Sequence, residues 1–333
     1  MLSRVADAIY WMARYVERAE NLARFVDVTL NVILDQPDGA PEPWMPLVNA
    51  TGEHRWFEEH YGVANQESVI RFLAFDDEYP NSIVSSLRRA RENARTVREA
   101  ISSEMWEQIN EFYHFVRDAA RRDISFDSQT EFFQAVKRAS HLFNGITDGT
   151  MTHGEGWHFS NLGRLLERAD KTSRILDVKY FILLPNLSDV GTSLDDLQWS
   201  AVLRSVSGLE TYRKRFHSMV PKQIVEFLVL DREFPRAIQY CVMHADDSLH
   251  EIAGTPVGSF ANPAEQRLGR LRSKLAWMEV ETIVQRGLHE FIDGLQDQLN
   301  SIGDAIYETF VALRRGESAA EQTQQQSQTG GGR

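Results

Sequence analysis

This sequence predicts an all-α fold, a helical bundle built from two related halves with no significant sheet. Three observations predict it. Apolar residues recur at three- and four-residue steps along most of the chain, and strand-like alternation is scarce. Capping residues and first-turn prolines punctuate the chain at helix-length intervals. Residues 14–28, RYVERAENLARFVDV, return at a constant offset of 150 as RLLERADKTSRILDV over 164–178.

The elements follow in chain order. Between Leu2 and Leu34, Val5, Ile9, Met12, Val16, Ala19, Ala23, Val26 and Leu30 share one helix face, and Asp35-Gln-Pro-Asp-Gly39 stops that helix. Residues 36–64 mix Pro37, Pro41, Pro43 and Pro46 with Trp44 and Trp56, which reads as a packed loop because linkers rarely carry tryptophan. Asn81 caps a helical stretch through about Arg122, with a break near Ser102-Ser103, and another helix runs from about Ser128 to Thr147. The Gly-spaced segment from Asp148 to Gly156 separates it from a long helix ending at Pro185. Ser193 with Asp196 forms a capping box for a helix to about His217. Pro221 and Pro235 sit where first-turn prolines belong, and Gly254 closes the second of those helices. Asn262-Pro-Ala-Glu265 starts a helix to about Gly287, and a last helix ends near Arg315. The Gln/Ser/Thr/Gly-rich tail, 316–333, reads as disordered.

Length and charge bound the function. The chain has 333 residues, 36 Lys+Arg against 48 Asp+Glu, and a formal net charge of -12, which argues against a nucleic-acid partner. A single cysteine, Cys241, excludes an internal disulfide and a Cys-rich metal site. Charges at Arg4, Asp7 and Arg14 interrupt any signal-peptide core, and apolar runs such as Phe181 to Leu184 are far too short to span a bilayer. The expectation is a soluble, cytoplasmic protein without a membrane partner. The repeat makes its length one duplicated helical body, with halves of about 1–155 and 156–315.

The repeat also carries the candidate site. Arg14/Arg164, Glu17/Glu167, Arg18/Arg168, Ala19/Ala169, Arg24/Arg174, Asp27/Asp177 and Val28/Val178 are identical, and Glu20/Asp170 keeps its charge. On a helical wheel Asp7, Tyr10, Trp11, Arg14, Glu17, Arg18 and Asn21 form a narrow arc opposite the apolar face, bordered by Tyr15, Leu22 and Phe25. Arg, Glu, Tyr and Trp at such positions read as a partly buried stripe. Two readings stay open. In one, Glu17 with Arg14/Arg18 and Glu167 with Arg164/Arg168 form paired networks that lock two helices about a pseudo-twofold axis. In the other, Arg14, Arg18, Arg164 and Arg168, oriented by the two glutamates, line a cleft for a phosphate or carboxylate, which a guanidinium binds bidentately.

Other constellations are weaker. His153-Gly-Glu-Gly-Trp-His158 reads either as a tight connection or as an anion loop in which His153, His158 and backbone N–H groups precede the helix bearing Arg164. Three potential ligands, His153, Glu155 and His158, are too few and too loosely held to predict a metal. His244, Asp247, His250 and Glu251 share a helix face without a His-Glu-x-x-His element, and Glu111-x-x-His114 has no second copy. No phosphate-binding glycine motif occurs, no cofactor is expected, and Cys241 reads as a buried structural thiol. Arg88, Arg91, Arg95 and Arg98 make one arginine edge, read as a solvated face, a docking strip for an acidic partner or a contribution to the same anion site, beside Trp106, Phe112, Tyr113 and Phe115 as core.

Taken together, MLSRVADAIYWMARYVERAENLARFVDV, SSEMWEQIN, THGEGWHFSNLGRLLERADKTSRILDVKYF, Tyr212 to Phe216 and Phe227 to Arg236 resemble the bacterial alpha-E family over about residues 1–315. The resemblance implies an all-helical fold whose signature Glu-Arg pair maps onto Glu17-Arg18 and Glu167-Arg168. It further implies the company of a circularly permuted ATP-grasp ligase, and often of transglutaminase-like proteins and a proteasome-like peptidase. The expected function is therefore a non-ATPase partner of an ATP-grasp peptide or amide ligase, binding an anionic substrate or the ligase through its Glu-Arg stripes. The alternatives are an enzyme of amide or peptide chemistry with Glu17 or Glu167 as general base, and a purely structural interaction bundle.

Overall fold

The computed structural model describes residues 1–35, 44–121, 126–183 and 193–312. Every regular element among them is a helix, and none is long and apolar enough to cross a membrane. The prolines at 37, 41 and 43, the stop at Pro185 and the tail from 316 lie outside the described residues.

Helix α1 (Ser3–Asp35) is the first axis of the molecule. Its predicted apolar face is buried from Ile9 to Leu30, but so are Tyr10, Glu17, Glu20, Asn21 and Arg24 on the other side. A helix covered all round belongs in the interior, and its main cover is α8 (Glu155–Leu183), the helix carrying the second copy of the repeat. The two approach closely at Gly163, where a Cβ would come within 2.4 Å of the Tyr10 carbonyl oxygen.

Around these axes the halves build in parallel. Helices α5 (Ile83–Thr96) and α7 (Phe126–Thr150) pack on α1, with α6 (Ser103–Ala120) joining α5 to α7. Correspondingly, α12 (Ile238–Ala253) and α15 (Leu288–Tyr307) pack on α8, and α13 (Pro263–Ala276) joins them. The short helices exchange sides. Helix α2 (Trp44–Thr51) lies on α8, whereas α9 (Ser193–Ser205) lies on α1, so each half helps cover the other's leading helix.

A second repeat, at an offset of 155, was not anticipated from the sequence. Helix α3 (His54–His60), α4 (Gln66–Ile70) and a π-helical turn at Arg71–Phe75 match α10 (Leu209–Arg215) and α11 (Pro221–Leu230). Phe72/Phe227, Leu73/Leu228, Asp76/Asp231, Glu78/Glu233, Pro80/Pro235 and Ile83/Ile238 are identical. The aromatic packing repeats too: Phe72 stacks on Tyr79 at 4.2 Å and Phe227 on Phe234 at 4.6 Å, while Phe57 and Tyr212 meet those phenylalanines edge-on.

Several boundaries differ from the expectations. Residues 44–60 form α2 and α3 rather than a loop, and Trp44, Leu47, Val48 and Phe57 are buried. Pro46 is tolerated because it falls in the first turn of α2, where backbone N–H groups have no intrahelical acceptor. Ser82, not Asn81, caps α5, accepting from the Ser85 N–H at 3.1 Å and leaving Asn81 for another task. Pro235 stands in the turn ahead of α12, not in its first turn. The stretch from 193 breaks at Ser207, a non-glycine residue with φ of 54°, and the stretch from Asn262 breaks at 277–279 before α14 (Val280–Arg286). The first break holds Gly208, directly after Ser207, whereas the second carries no glycine or proline of its own.

Candidate functional site

The two Glu-Arg pairs meet where α1 lies along α8, and they pair crosswise rather than within their own helices. Arg18 holds Glu167 with two parallel bonds, Nε to Oε1 at 2.7 Å and Nη2 to Oε2 at 3.1 Å. Arg168 holds Glu17 in the same way, Nε to Oε1 at 2.9 Å and Nη2 to Oε2 at 2.8 Å. Both carboxylates are fully buried. The expected pairing of each glutamate with arginines of its own helix is thus corrected. A fork-to-fork bond requires coplanar approach, which the facing helix supplies and a side chain one turn away does not.

A ring of polar residues repeats about the same axis. Arg24 donates to Glu20 at 2.9 Å and to the Ser205 carbonyl at 3.1 Å; Arg174 donates to Asp170 at 3.0 Å and to the Ala50 carbonyl at 3.2 Å. Each thereby ties a leading helix to the end of the short helix borrowed from the other half. Further along, Lys137 pairs with Asp27 at 2.6 Å and His289 with Asp177 at 2.7 Å.

The symmetry fails at one place. Residues 81 and 236 are equivalent in the second repeat, but the first is asparagine and the second arginine. Arg236 is buried and reaches Glu17 at 3.3 Å, Asn21 at 3.2 Å, and Glu20. Asn81 is short and accepts from Arg18, at 2.6 Å, without adding a charge. On that side the third cation comes instead from α8: Lys171, the counterpart of Asn21, sits 2.8 Å from Asp170 and 3.5 Å from Glu167. The Glu167 side opens into a cavity of about 640 Å³ lined by Arg14, Arg18, Lys171 and Arg174, with Asn81 and Tyr79. The size is that of a small-molecule site, roughly 300–1,000 Å³. Arg14 reaches Glu167 at 2.8 Å and lies over the Trp11 ring at 4.7 Å. Gly303 on α15 forms wall above it, 3.7 Å from the Arg14 Nη1 to where a Cβ would stand.

Burial alone would raise the carboxyls of this network, and the neighbouring cations overcome it. Arg18, Lys171 and Arg14 hold Glu167 well below the usual carboxylate range. Arg236, a hydrogen bond from His141, and Arg24 do the same for Glu20. Arg168 and Arg236 lower Glu17 against repulsion from Glu20, and Lys171 and Arg174 bring Asp170 to about 2. A carboxyl whose folded value lies below its unfolded one adds stability above the unfolded value, and that stability is lost as pH falls through the folded value. Asp177 and Asp246, raised mainly by burial, act in the opposite sense but are outnumbered. Urea midpoints should therefore hold from pH 7 to about 5 and fall steeply toward pH 2, given unfolded values of about 3.9 to 4.3. Midpoints that stay flat across that window would contradict this account of the network.

The remaining candidates lie elsewhere. Arg164, the counterpart of Arg14, donates to Asn161 at 2.6 Å, with burial and the Arg168 charge lowering its pKa. His153 is exposed, stacks on Trp157 at 4.3 Å and contacts the Asp148 carbonyl; His158 is half-buried, and burial lowers its pKa. Neither histidine lines the cavity. His244 and His250 face different carboxylates, Asp247 and Asp246, and Arg272 draws both acids to itself at 2.6 and 2.9 Å. Cys241 is buried, its thiol pushed up to about 12 by burial. The arginine edge of α5 is largely engaged: Arg91 and Arg98 lie over Trp106, and Arg88 and Arg95 pair with Asp77 and Glu92. Phe112 is core as expected, whereas Phe115 is exposed.

The residues about the cavity and network that escaped the sequence are Asn81, Arg236 and Gly303, whereas Lys171 is legible on the charged stripe of the second copy. The second repeat, aligned at 155, was the signal that would have matched Asn81 to Arg236; Gly303 carried none.

Uncharacterized proteins of Mycobacterium bovis and Mycobacterium tuberculosis are each 24% identical to this chain over 340 aligned residues, covering 94% of it. The chain spans only 37% of the length of those relatives. No solved structure matches. A model of the alpha-E family, described as a predicted α-helical domain with a conserved ER motif, matches residues 1–311. The Glu-Arg dipeptide occurs in this sequence at Glu17-Arg18 and Glu167-Arg168 and nowhere else, the two places where the helices interlock. By its family match and its helical architecture, the chain belongs to the alpha-E family.

Proposed function

We propose that this chain is the non-ATPase helical partner of a circularly permuted ATP-grasp peptide or amide ligase, and that it holds an anionic substrate in the cavity beside Glu167. One observation carries the binding part. Four cations, Arg14, Arg18, Lys171 and Arg174, gather in the lining around Glu167 and Asp170, a local excess of positive charge in a lining that also holds Glu53, Asp304 and Glu308. Guanidinium groups already fixed by ion pairs need no reorganisation to receive a carboxylate or phosphate. The partnership rests on the family resemblance. It is supported by the mycobacterial relatives, in which a match to this chain is joined to a longer stretch of further sequence.

The chemistry favours binding over a general-base role. A base effective near neutrality needs a pKa near the working pH, whereas Glu17 and Glu167 are both held below the ordinary range by cations. The test is co-expression with the cognate ligase, measuring complex formation and ATP-dependent ligation with and without this chain. Stimulated ligation, lost in Lys171→Met while the complex persists, is the expected result. Neither complex nor stimulation would sink the proposal, and turnover by the isolated chain that Glu17→Gln abolishes would restore the enzyme reading.

A further inference from the structure

We propose that Asp177, His289 and Asp293 form a site for a divalent transition-metal ion of the zinc type, which staples α8 to α15. Each side chain brings one ligand atom, and these atoms all lie within 4.8 Å of one another. His289 and Asp293 stand on one face of α15 at a four-residue step, and Asp177 meets them from α8. The His289 Nδ1 lies 2.7 Å from Asp177 Oδ1, and its Nε2 lies 3.8 Å from Asp293 Oδ2. Nitrogen and carboxylate ligands sit about 2.0–2.2 Å from zinc, so two of them stand at most about 4.4 Å apart. Asp293, with its side chain 65% exposed, closes the small remainder by rotation. Imidazole beside carboxylates suits zinc, whereas magnesium and calcium prefer oxygen alone. None of the three residues lines the cavity beside Glu167, so this site is separate from the one proposed above.

The other half of the molecule shows what a metal ion would replace. Helices α7 and α15 align at an offset of 159, with Phe132/Phe291, Phe133/Ile292, Val136/Leu295 and Phe143/Ile302 buried in both. Asp27, the counterpart of Asp177, takes its cation from α7: Lys137 at 2.6 Å, joined by the Gln134 amide at 3.1 Å. In α15 the equivalent positions hold Gln296 and Asp293. Where the first copy has a lysine, the second has an amide that donates to Ser173; where the first has an amide, the second has a carboxylate. Among the described residues, no lysine or arginine forms an ion pair with Asp177 or Asp293. The second copy is therefore two positive charges short of the first. A proton on His289 supplies one of them, and a dication held by neutral imidazole supplies both.

Calorimetric titration of zinc chloride into the full chain, stripped beforehand with a chelator, tests the site at pH 7. One ion per chain should bind, and the urea midpoint should rise with zinc. Asp293→Asn and His289→Gln should each weaken zinc binding about tenfold or more, since even the outer-shell partners of metal ligands are worth about 10–100-fold. Asp293→Gln combined with Gln296→Lys rebuilds the arrangement of the first copy. That double variant should raise the urea midpoint without zinc and abolish the further rise that zinc gives. Absence of zinc binding would overturn the proposal. So would zinc binding that neither single variant weakens, because the ion would then sit elsewhere, as at His244 and Asp247. Calcium bound more tightly than zinc, and indifferent to His289→Gln, would overturn ligation by the imidazole.

Discussion

Glu167→Gln is expected to destabilise the folded chain by about 3–5 kcal/mol, the penalty for breaking a buried ion pair from one side. The substitution preserves volume, so the loss comes from charge. Arg14, Arg18 and Lys171 lie within 3.5 Å of this carboxylate and would be left facing one another around a neutral amide. The amide also turns an NH2 toward groups that can only donate. Glu17→Gln should behave similarly, since Arg168 and Arg236 converge on it. Urea unfolding at pH 7 measures both. A double-mutant cycle with Arg18→Gln should recover about 0.5–3 kcal/mol, because the second substitution removes the charge that the first had stranded. Losses under 1 kcal/mol in both single variants would mean that water reaches the pair and screens it, contrary to the burial of Glu17 and Glu167.

The helices were legible because their signal is local. Periodicity and caps place Ile9, Met12 and Val16 on one face and Asn262 ahead of α13 without knowledge of the fold. The first repeat was legible because charged residues recur at a fixed offset, and a charge kept on a buried face is hard to arrive at by composition. The second repeat escaped because apolar exchanges, such as Val69/Ile224 and Phe75/Leu230, dilute its identities, and its offset differs by five residues. Partner choice escaped for another reason. On a single helix Arg14, Glu17 and Arg18 are neighbours, and nothing in their spacing tells that Glu17 looks across to Arg168 instead. Only the interhelical distance decides this, and the close approach lies one turn before Glu167, at Gly163. The cavity was least legible of all. It depends on Asn81 standing where the other half has Arg236, a difference with meaning only after the two segments are superposed.

Gly163→Ala is expected to be the second large loss, about 1–3 kcal/mol from overpacking, even though alanine is the better helix former by about 1 kcal/mol. The added methyl would stand 2.4 Å from the Tyr10 carbonyl oxygen and 3.2 Å from its carbon. These are backbone atoms of α1, which no rotamer change can move, so α1 and α8 must separate. Ala13 is the equivalent residue in the first copy and is buried without difficulty, so the duplicated interface accepts a methyl on one side and not the other. Separation by a fraction of an ångström lengthens both fork-to-fork pairs, Arg18 with Glu167 and Arg168 with Glu17, at once. The loss should therefore depend on pH, shrinking only as pH falls well below the usual carboxylate range, because the paired glutamates stay ionised until then. Gly303→Ala is the matched control. Its methyl meets only the end of the Arg14 side chain, at 3.7 Å, so the helix gain should dominate and the urea midpoint should rise. If Gly163→Ala were as stable as Gly303→Ala, the close approach would not be what fixes the crosswise pairing. If its loss stayed the same from pH 7 down to about pH 2, across the window in which the paired carboxyls protonate, the cost would be steric alone.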